Sequence, residues 1–564
     1  MNRLRWQLIV VVLALVAIAV LLLSQQPVLN AFTPAPAEGG VYIEGLVGQP
    51  SRLNPLLDSF NPADQDVNRL IFSGLVRFDS WGNPIADLAE TWSISLDGTV
   101  YNFTLKEGIL WHDGTPLTAE DVIFTVELVT SPDLPVPEDL REFWLEVEAI
   151  AFDERNLQFR LPNRFAPFMD YLDFGVLPRH LLGGLTPGEI INAPFNLNPV
   201  GSGPYFFDEL MTNETGVEGV VLTANEDYYD DRPFIDQVVF DYYASSAEAY
   251  AAFERGDVLG VSQVSNDVLP QVMADPAINL YTARLPQISM VMLNLDSNAV
   301  PFFQELAVRQ ALTHAINRQW IVDEFLGSQA FVADSPVLPG SWAYNENLVE
   351  IPYNVDTALE TLREADYVVP AEGGPRSKEG VSLAFTMVHP DDELHTRVAQ
   401  FIQESWAEIG VQVTLQAVPY DNLVIDYLDT RNYEAALVDI NLTDSPDPDP
   451  YPFWHQAEAT GGQNYSRWND RRASEYLEQA RLETDLLDRA RLYRNFQTHF
   501  NRELPAILLY YPVYNYAVSA QVNGVSVGPL YESSDRLSTL PQWFLVAGGV
   551  AAEVDEPEIQ TLEP

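Results

Sequence analysis

The forty residues from Leu88 to Glu127 constrain this chain more tightly than any other stretch. They read LAETWSISLDGTVYNFTLKEGILWHDGTPLTAEDVIFTVE: a strand, an Asp-Gly turn, a strand, a second turn and a capped helix. Tyr101, Phe103 and Leu105 alternate with Asn102, Thr104 and Lys106, the period of a half-buried strand. Asp97-Gly98 and Asp113-Gly114 fall where a sharp turn needs positive φ. Thr118 followed by Asp121 forms a capping-box pattern, and Val122, Val126 and Val129 make the buried stripe of the helix it opens. None of these positions carries catalytic chemistry. The block is scaffold.

At 564 residues the chain exceeds one compact core, and two or three domains are expected. A hydrophobic content of 47% with 11% aromatics supports folded domains rather than disorder. The formal charge is −51, from 81 acidic and 30 basic residues. A chain of that sign has no basic footprint for phosphates, so nucleic acid is excluded as a partner. The acidity reads as a highly solvated surface, open to a salt-adapted or a high-GC organism alike. Cysteine is absent, which removes disulfides, thiolate metal sites, a cysteine nucleophile and a lipid-anchor cysteine.

Residues 1–40 are a targeting segment and linker. Arg3 and Arg5 precede an unbroken run of 16 apolar residues, Leu8 to Leu23, and Ala35 and Ala37 offer an A-x-A-like cleavage site. The run is long for a signal peptide and short for a full span, so a cleaved signal and a retained anchor both stay open. Either one places the body of the protein outside the cytoplasm.

Strands are expected at Val41–Val47, Ile235–Tyr243, Leu285–Leu295, Tyr433–Val438 and Leu504–Val518. One long helix is expected over Glu305–Phe325, where Val308, Ala311, Leu312, Ala315 and Ile316 keep helical spacing, and another helical stretch over Glu475–Phe500. Asp66–Phe78 reads as a helix ending at Gly74. Strand 381–388, helix 396–409 and strand 411–417 form a β-α-β unit, which favours a partly parallel α/β sheet. Pro178–Pro204 reads as a domain crossing.

Several of these strings, in order, resemble the family 5 extracytoplasmic solute-binding proteins, the peptide, dipeptide, nickel and oligosaccharide receptors of ABC importers. They are the Leu88–Glu127 block, SRLNPLL at Ser51–Leu57, DVNRLIFSGLVRF at Asp66–Phe78, NPVGSGPYFF at Asn198–Phe207 and VRQALTHAINRQWIVD from Val308, in which Asn317 replaces the usual Asp. The resemblance covers about residues 40–543. It implies an α/β fold with two lobes of the periplasmic-binding-protein type II kind and an extra inserted domain. Lobe I would be 41–74, 186–280 and 506–545; the inserted domain 75–185; lobe II 281–505; and 546–564 an acidic disordered tail.

Enzyme motifs are missing: there is no G-x-S-x-G, H-E-x-x-H or G-x-G-x-x-G. Seven scattered histidines argue against a metal site, so no catalytic, metal or cofactor residue is assigned. The densest candidate for a ligand site is Asp439–His455, DINLTDSPDPDPYPFWH, where prolines stiffen a loop rich in acids and aromatics. The resemblance places ligand contacts at Asp444, Asp447, Tyr451 and Trp454, with Tyr420 as a cleft aromatic and Asn464 as a family Asn that could instead cap the following helix. Peptide receptors of the family carry G-W-x-A-D here, with the Asp on the peptide amine. Ile440 replaces that Trp, and Asp444 is one residue out of register. Asn294 and Arg309 read as strand-end and helix-packing residues.

The resemblance implies a monomeric, non-enzymatic receptor that passes an oligopeptide or similar small solute to ABC permease subunits. An oligosaccharide receptor, with Tyr451 and Trp454 as stacking platforms, is the alternative within the family. A metallophore receptor and a secreted hydrolase are weaker readings.

Overall fold

The computed structural model describes residues 36–545 apart from 60, 80, 215, 443 and 444. The apolar run Leu8–Leu23 and the acidic tail from 546 therefore lie outside the described residues. No helix among those described is long and apolar enough to cross a membrane.

The Leu88–Glu127 block folds as its landmarks require. Ala89–Ile94 and Val100–Leu105 pair antiparallel in a four-stranded sheet completed by Asn156–Arg160 and Glu148–Ala151. Tyr101, Phe103 and Leu105 are buried beneath Phe159, Phe168 and Trp144, with Tyr101 and Phe168 centroids 4.4 Å apart. The turn glycines Gly98 and Gly114 take φ of 69° and 83°. Asp121 does more than the pattern predicts. One oxygen accepts the Thr118 N–H at 2.8 Å, and the other accepts the Arg179 N–H at 2.9 Å, tying the cap of helix Ala119–Val129 to the segment that follows the small sheet.

A second, 12-stranded mixed sheet organises the rest of the chain. Its axis is the 14-residue strand Ala506–Ser519. The first half of this strand pairs antiparallel with Gln287–Leu293 and Ala330–Val332, and the second half with Ile278–Arg284 and Gly260–Val261. Beyond Gln287–Leu293 lie Ala435–Asn441, Ala384–Pro390 and Gln412–Val418. Beyond Gly260–Val261 lie Val41–Val47, Gln237–Tyr243, Gly216–Ala224 and Tyr205–Asn213. The run of apolar and aromatic residues in AILLYYPVYNYAVS suits a strand covered on both faces. Burial thins only at Pro512-Val513, midway along it. Around Gln287–Leu293 the two faces carry separate apolar layers. Val291, Leu437 and Ile507 meet Ile402 and Trp406, while Met290, Val438 and Leu508 meet Trp454, Phe496 and Phe500.

The expected β-α-β unit is present: Ala384–Pro390 and Gln412–Val418 are parallel neighbours, joined by helix Glu393–Glu408. Asp392 caps that helix, accepting the His395 N–H at 3.0 Å.

Three expected helices differ. The single helix over 305–325 is two, Leu306–His314 and Arg318–Phe325. Asn317 leaves helical geometry, and its side chain accepts the Trp320 N–H at 3.0 Å as the second N-cap. A local side-chain bond thus outcompetes the continuous apolar stripe. Likewise 475–500 divides into Arg471–Leu482 and Leu486–Glu503, capped by Asp470 and Asp485. The first helix after Val41–Val47 runs Pro62–Ile71, starting earlier than the apolar spacing because Asn61 caps it and Pro62 takes its first position. It also stops before Gly74.

Gly201 and Gly203 explain the tight path of NPVGSGPY. A β-carbon on Gly201 would lie 1.9 Å from the Ile71 carbonyl oxygen, and the Gly203 N–H donates to that same oxygen at 2.8 Å. Only glycine lets this segment close the end of the Pro62–Ile71 helix.

Candidate functional site

Strand Ala435–Asn441 delivers the Asp/Pro-rich segment to the region between residues 75–185 and the second half of the chain. Asp444 lies outside the described residues. Asp447 is buried, and its carboxylate pairs with Arg489 and accepts the Asp449 N–H at 3.1 Å and the Tyr493 hydroxyl at 3.4 Å. Its own N–H donates to Asp170 at 3.0 Å. Burial raises the Asp447 pKa, and Arg489 pulls against that shift. Asp449 pairs with Arg481 at 2.7 Å. The Arg481 guanidinium lies 3.6 Å above the Tyr451 ring and 5.5 Å from that of Phe165. Pro446 sits against Gly82, and its carbonyl accepts the Trp342 indole N–H at 3.2 Å. The loop therefore reaches Gly82, Phe165 and Asp170 of the segment expected to be an inserted domain.

The aromatic candidates are enclosed. Tyr451 stacks on His455 at 4.0 Å on one side and meets Arg481 on the other. Trp454 is 1% exposed and packs edge-on against Phe500. Asn464 is a buried cross-brace: its amide donates to the carbonyls of His455 and Trp468, and its oxygen accepts from the Trp468 N–H and the Ser466 hydroxyl. The cap of the next helix is Asp470 instead. Asn294 closes a strand end through the carbonyls of Arg431 and Tyr433, and Arg309 donates to the carbonyls of Phe303 and Glu503. Tyr420 is half-exposed, and its hydroxyl donates to the Asp439 carbonyl at 2.5 Å. Burial, then the Asp439 charge, pushes that hydroxyl up to about 12.

Sequence reasoning did not single out Asp439 itself. Ser289 lies opposite Asp439 on one neighbouring strand and opposite Tyr510 on the other, so the three form a row across adjacent strands. His395 reaches this row from the first turn of helix Glu393–Glu408, with Nε2 3.1 Å from Asp439 Oδ2 and Nδ1 2.6 Å from Asp392 Oδ2. Burial opposes the imidazolium, but the two carboxylates outweigh it and raise the His395 pKa. Asp439 Oδ1 is buried without a hydrogen bond, and the buried Ser289 and Tyr510 hydroxyls lie beside each other. The signal available in sequence was a lone carboxylate in the otherwise apolar string AALVDI. Among the described residues no cluster of three His, Asp or Glu side chains is placed to hold a metal ion.

A long strand shared by two halves of one sheet suits a two-lobed binding protein. Residues 83–463 match the sequence model of the bacterial extracellular solute-binding proteins, family 5 (middle). The chain belongs to that family. Among its relatives, the oligopeptide-binding protein AppA of Bacillus subtilis is 27% identical over 518 residues, covering 90% of this chain and 92% of AppA. The dipeptide-binding protein of Escherichia coli is 25% identical, covering 86% of this chain and 91% of that protein. The solved structure of B. subtilis AppA in complex with a nonapeptide superposes with a TM-score of 0.71 at 26% identity, over 91% of this chain and all of that one. As a family 5 solute-binding protein the chain is extracytoplasmic, and its family consists of receptors. The resemblance drawn from the ordered blocks and the two-lobed α/β fold are therefore both upheld.

Proposed function

We propose that this family 5 protein captures a peptide or peptide-like solute between its lobes and presents it, as a monomer, to the permease subunits of an ABC importer. In this reading lobe I is 41–74, 186–280 and 506–545, lobe II is 281–505, and 75–185 is the inserted domain. Residues 1–40 export or anchor the chain. The lobes flex about Pro512-Val513, where the shared strand is least buried and proline has no N–H to give to its neighbour.

The observation that carries the reading is the reach of the 445–450 loop from lobe II to Gly82, Phe165 and Asp170. It marks a cleft that closes around its contents. Asp447, Tyr451, Trp454, Tyr420, Asn464 and Asp444 are proposed to line or brace that cleft. Peptides are favoured over oligosaccharides because neither candidate platform has a free face. Tyr451 is covered by His455 and Arg481, and Trp454 is buried. Sugar stacking needs an open ring, whereas an extended peptide can hydrogen-bond to strand edges.

Thermal-shift screening against di- to pentapeptides and oligosaccharides tests this, since any ligand of the folded state raises the melting temperature. Peptides are expected to raise it. Stabilisation by sugars with none by peptides would overturn the assignment.

A further inference from the structure

We infer that His395 is a positioning residue of the candidate ligand site and makes solute capture proton-linked. As an imidazolium it ties the start of helix Glu393–Glu408 to the strand end that carries Asp439 and holds Tyr420. Capture is tight while the ring is charged and weaker once it is neutral. This rests on the receptor reading above and adds its regulation by external pH.

The geometry of the ring calls for the charge. Nδ1 lies 2.6 Å from Asp392 Oδ2, and Nε2 lies 3.1 Å from Asp439 Oδ2. Both neighbours are carboxylates, which accept and do not donate. A neutral imidazole has one N–H, so it serves one carboxylate and turns a lone pair on the other. The imidazolium has two and serves both. Placing the proton on a carboxylate instead would put it on the weaker base, since imidazole ordinarily holds a proton to about pH 6.5 and aspartate only to about 3.9. The ring is buried, so bulk water does little to replace a lost contact.

The groups facing the ring are Asp392 from its own helix and Asp439 from the strand Ala435–Asn441. Asp391 and Glu393 flank Asp392 and are exposed. Tyr510 on the shared strand and Tyr420 after Gln412–Val418 lie in reach of these carboxylates, and burial followed by the Asp439 charge pushes both hydroxyls up, so both stay neutral. Unfolded, the ring gives up its proton at about pH 6.5. In the folded chain its pKa is raised, with the two carboxylates overcoming burial. The brace is therefore complete below about pH 6.5 and is lost as pH rises through the folded-state value.

Asp439 depends on this contact. Its Oδ2 accepts from His395, and among the described residues its Oδ1 accepts from nothing. The Asp392 contact is the shorter, and Asp392 also accepts the His395 N–H at 3.0 Å as the helix cap. On deprotonation the remaining ring N–H stays with Asp392, and Asp439 loses its donor. Asp439 stands near the end of Ala435–Asn441, where the Asp439–His455 segment begins, and its carbonyl accepts the Tyr420 hydroxyl at 2.5 Å. Losing the imidazolium thus releases the strand end, the half-exposed Tyr420 and the root of the candidate ligand segment together.

The experiment measures Ala-Ala-Ala affinity by calorimetry from about pH 5 to about pH 9 in wild type, His395→Gln and Asp392→Asn. Wild type is expected to bind about threefold or more tighter than His395→Gln at the acid end, and the two to converge at the alkaline end. Asp392→Asn keeps a good helix cap and removes one of the two charges, so its affinity should fall at lower pH than that of wild type. A histidine that only filled the core would give no such shift. Equal affinities in wild type and His395→Gln, or a ratio that does not change with pH, overturn the brace and leave the receptor reading intact. Should Ala-Ala-Ala bind at no pH, the peptide reading fails, and hydrogen–deuterium exchange over 420–442 decides the brace. Faster exchange in His395→Gln than in wild type at the acid end, vanishing at the alkaline end, upholds it. No difference at either end overturns it. Should His395→Gln not fold, the shift to lower pH in Asp392→Asn decides both measurements, and its absence overturns the brace.

Discussion

The Asp447 N–H donates a 3.0 Å hydrogen bond to the carboxyl of Asp170, across 277 residues of sequence. Burial, then the charge of Asp447, pushes the Asp170 carboxyl well above its ordinary value, with the bond from Asp447 N–H and the Arg489 charge only partly offsetting them. A carboxyl with a raised folded-state pKa costs nothing below its unfolded value of about 3.9, where both states are protonated. As pH rises beyond that, the unfolded chain ionises first and the folded state loses stability until the folded carboxyl ionises too. Asp170→Asn keeps an acceptor for the Asp447 N–H and removes this loss. Its melting temperature is expected to exceed wild type at neutral pH, by about 1–2 kcal/mol of stability, and to converge with it near pH 4. Equal pH profiles for the two proteins would rule this out.

Asp447 and Arg489 form a pair whose side chains are 4% and 6% exposed. Removing one partner strands the other charge in the interior. Arg489→Leu is expected to cost about 3–5 kcal/mol in urea unfolding, and Asp447→Asn added to it should recover a large part of the loss. A double variant no more stable than Arg489→Leu alone would show that the pair's charges are not what matters.

Asn317 is the residue that splits the 305–325 region into two helices. Asn317→Ala removes the acceptor of the Trp320 N–H and is expected to cost about 1 kcal/mol, while Asn317→Asp should be near neutral. Chemical denaturation of the two variants side by side is the check; matched losses would mean that the side-chain oxygen is not the cap.

A formal charge of −51 repels itself most when ions are scarce. The melting temperature is expected to rise between low and moderate sodium chloride. A flat or falling profile over that interval would contradict this.

What the chain shows locally, it shows well. Thr118 with Asp121, the Asp-Gly turns, and the alternation at Tyr101, Phe103 and Leu105 each depend on residues a few positions apart, so their geometry is legible in the string. Helix breaks were harder to read. The apolar stripe through Val308 and Ile316 has the same period whether the helix is one piece or two, and Asn317 decides by a single side-chain bond. Proline and acid density pointed to Asp439–His455 but not to what that segment packs against, because Gly82, Phe165 and Asp170 are remote in sequence. The row of Ser289, Asp439 and Tyr510 was least legible. It exists only because three strands far apart in the chain pair side by side, and because the core around them excludes water from their polar atoms. The sequence by itself determined the family, the local elements and the acidic, cysteine-free character of this protein, since these follow from neighbouring residues and composition. The tertiary structure alone decided which carboxylates are paired and which oxygen is left open, because burial and partnership are set by distances that sequence separation does not encode.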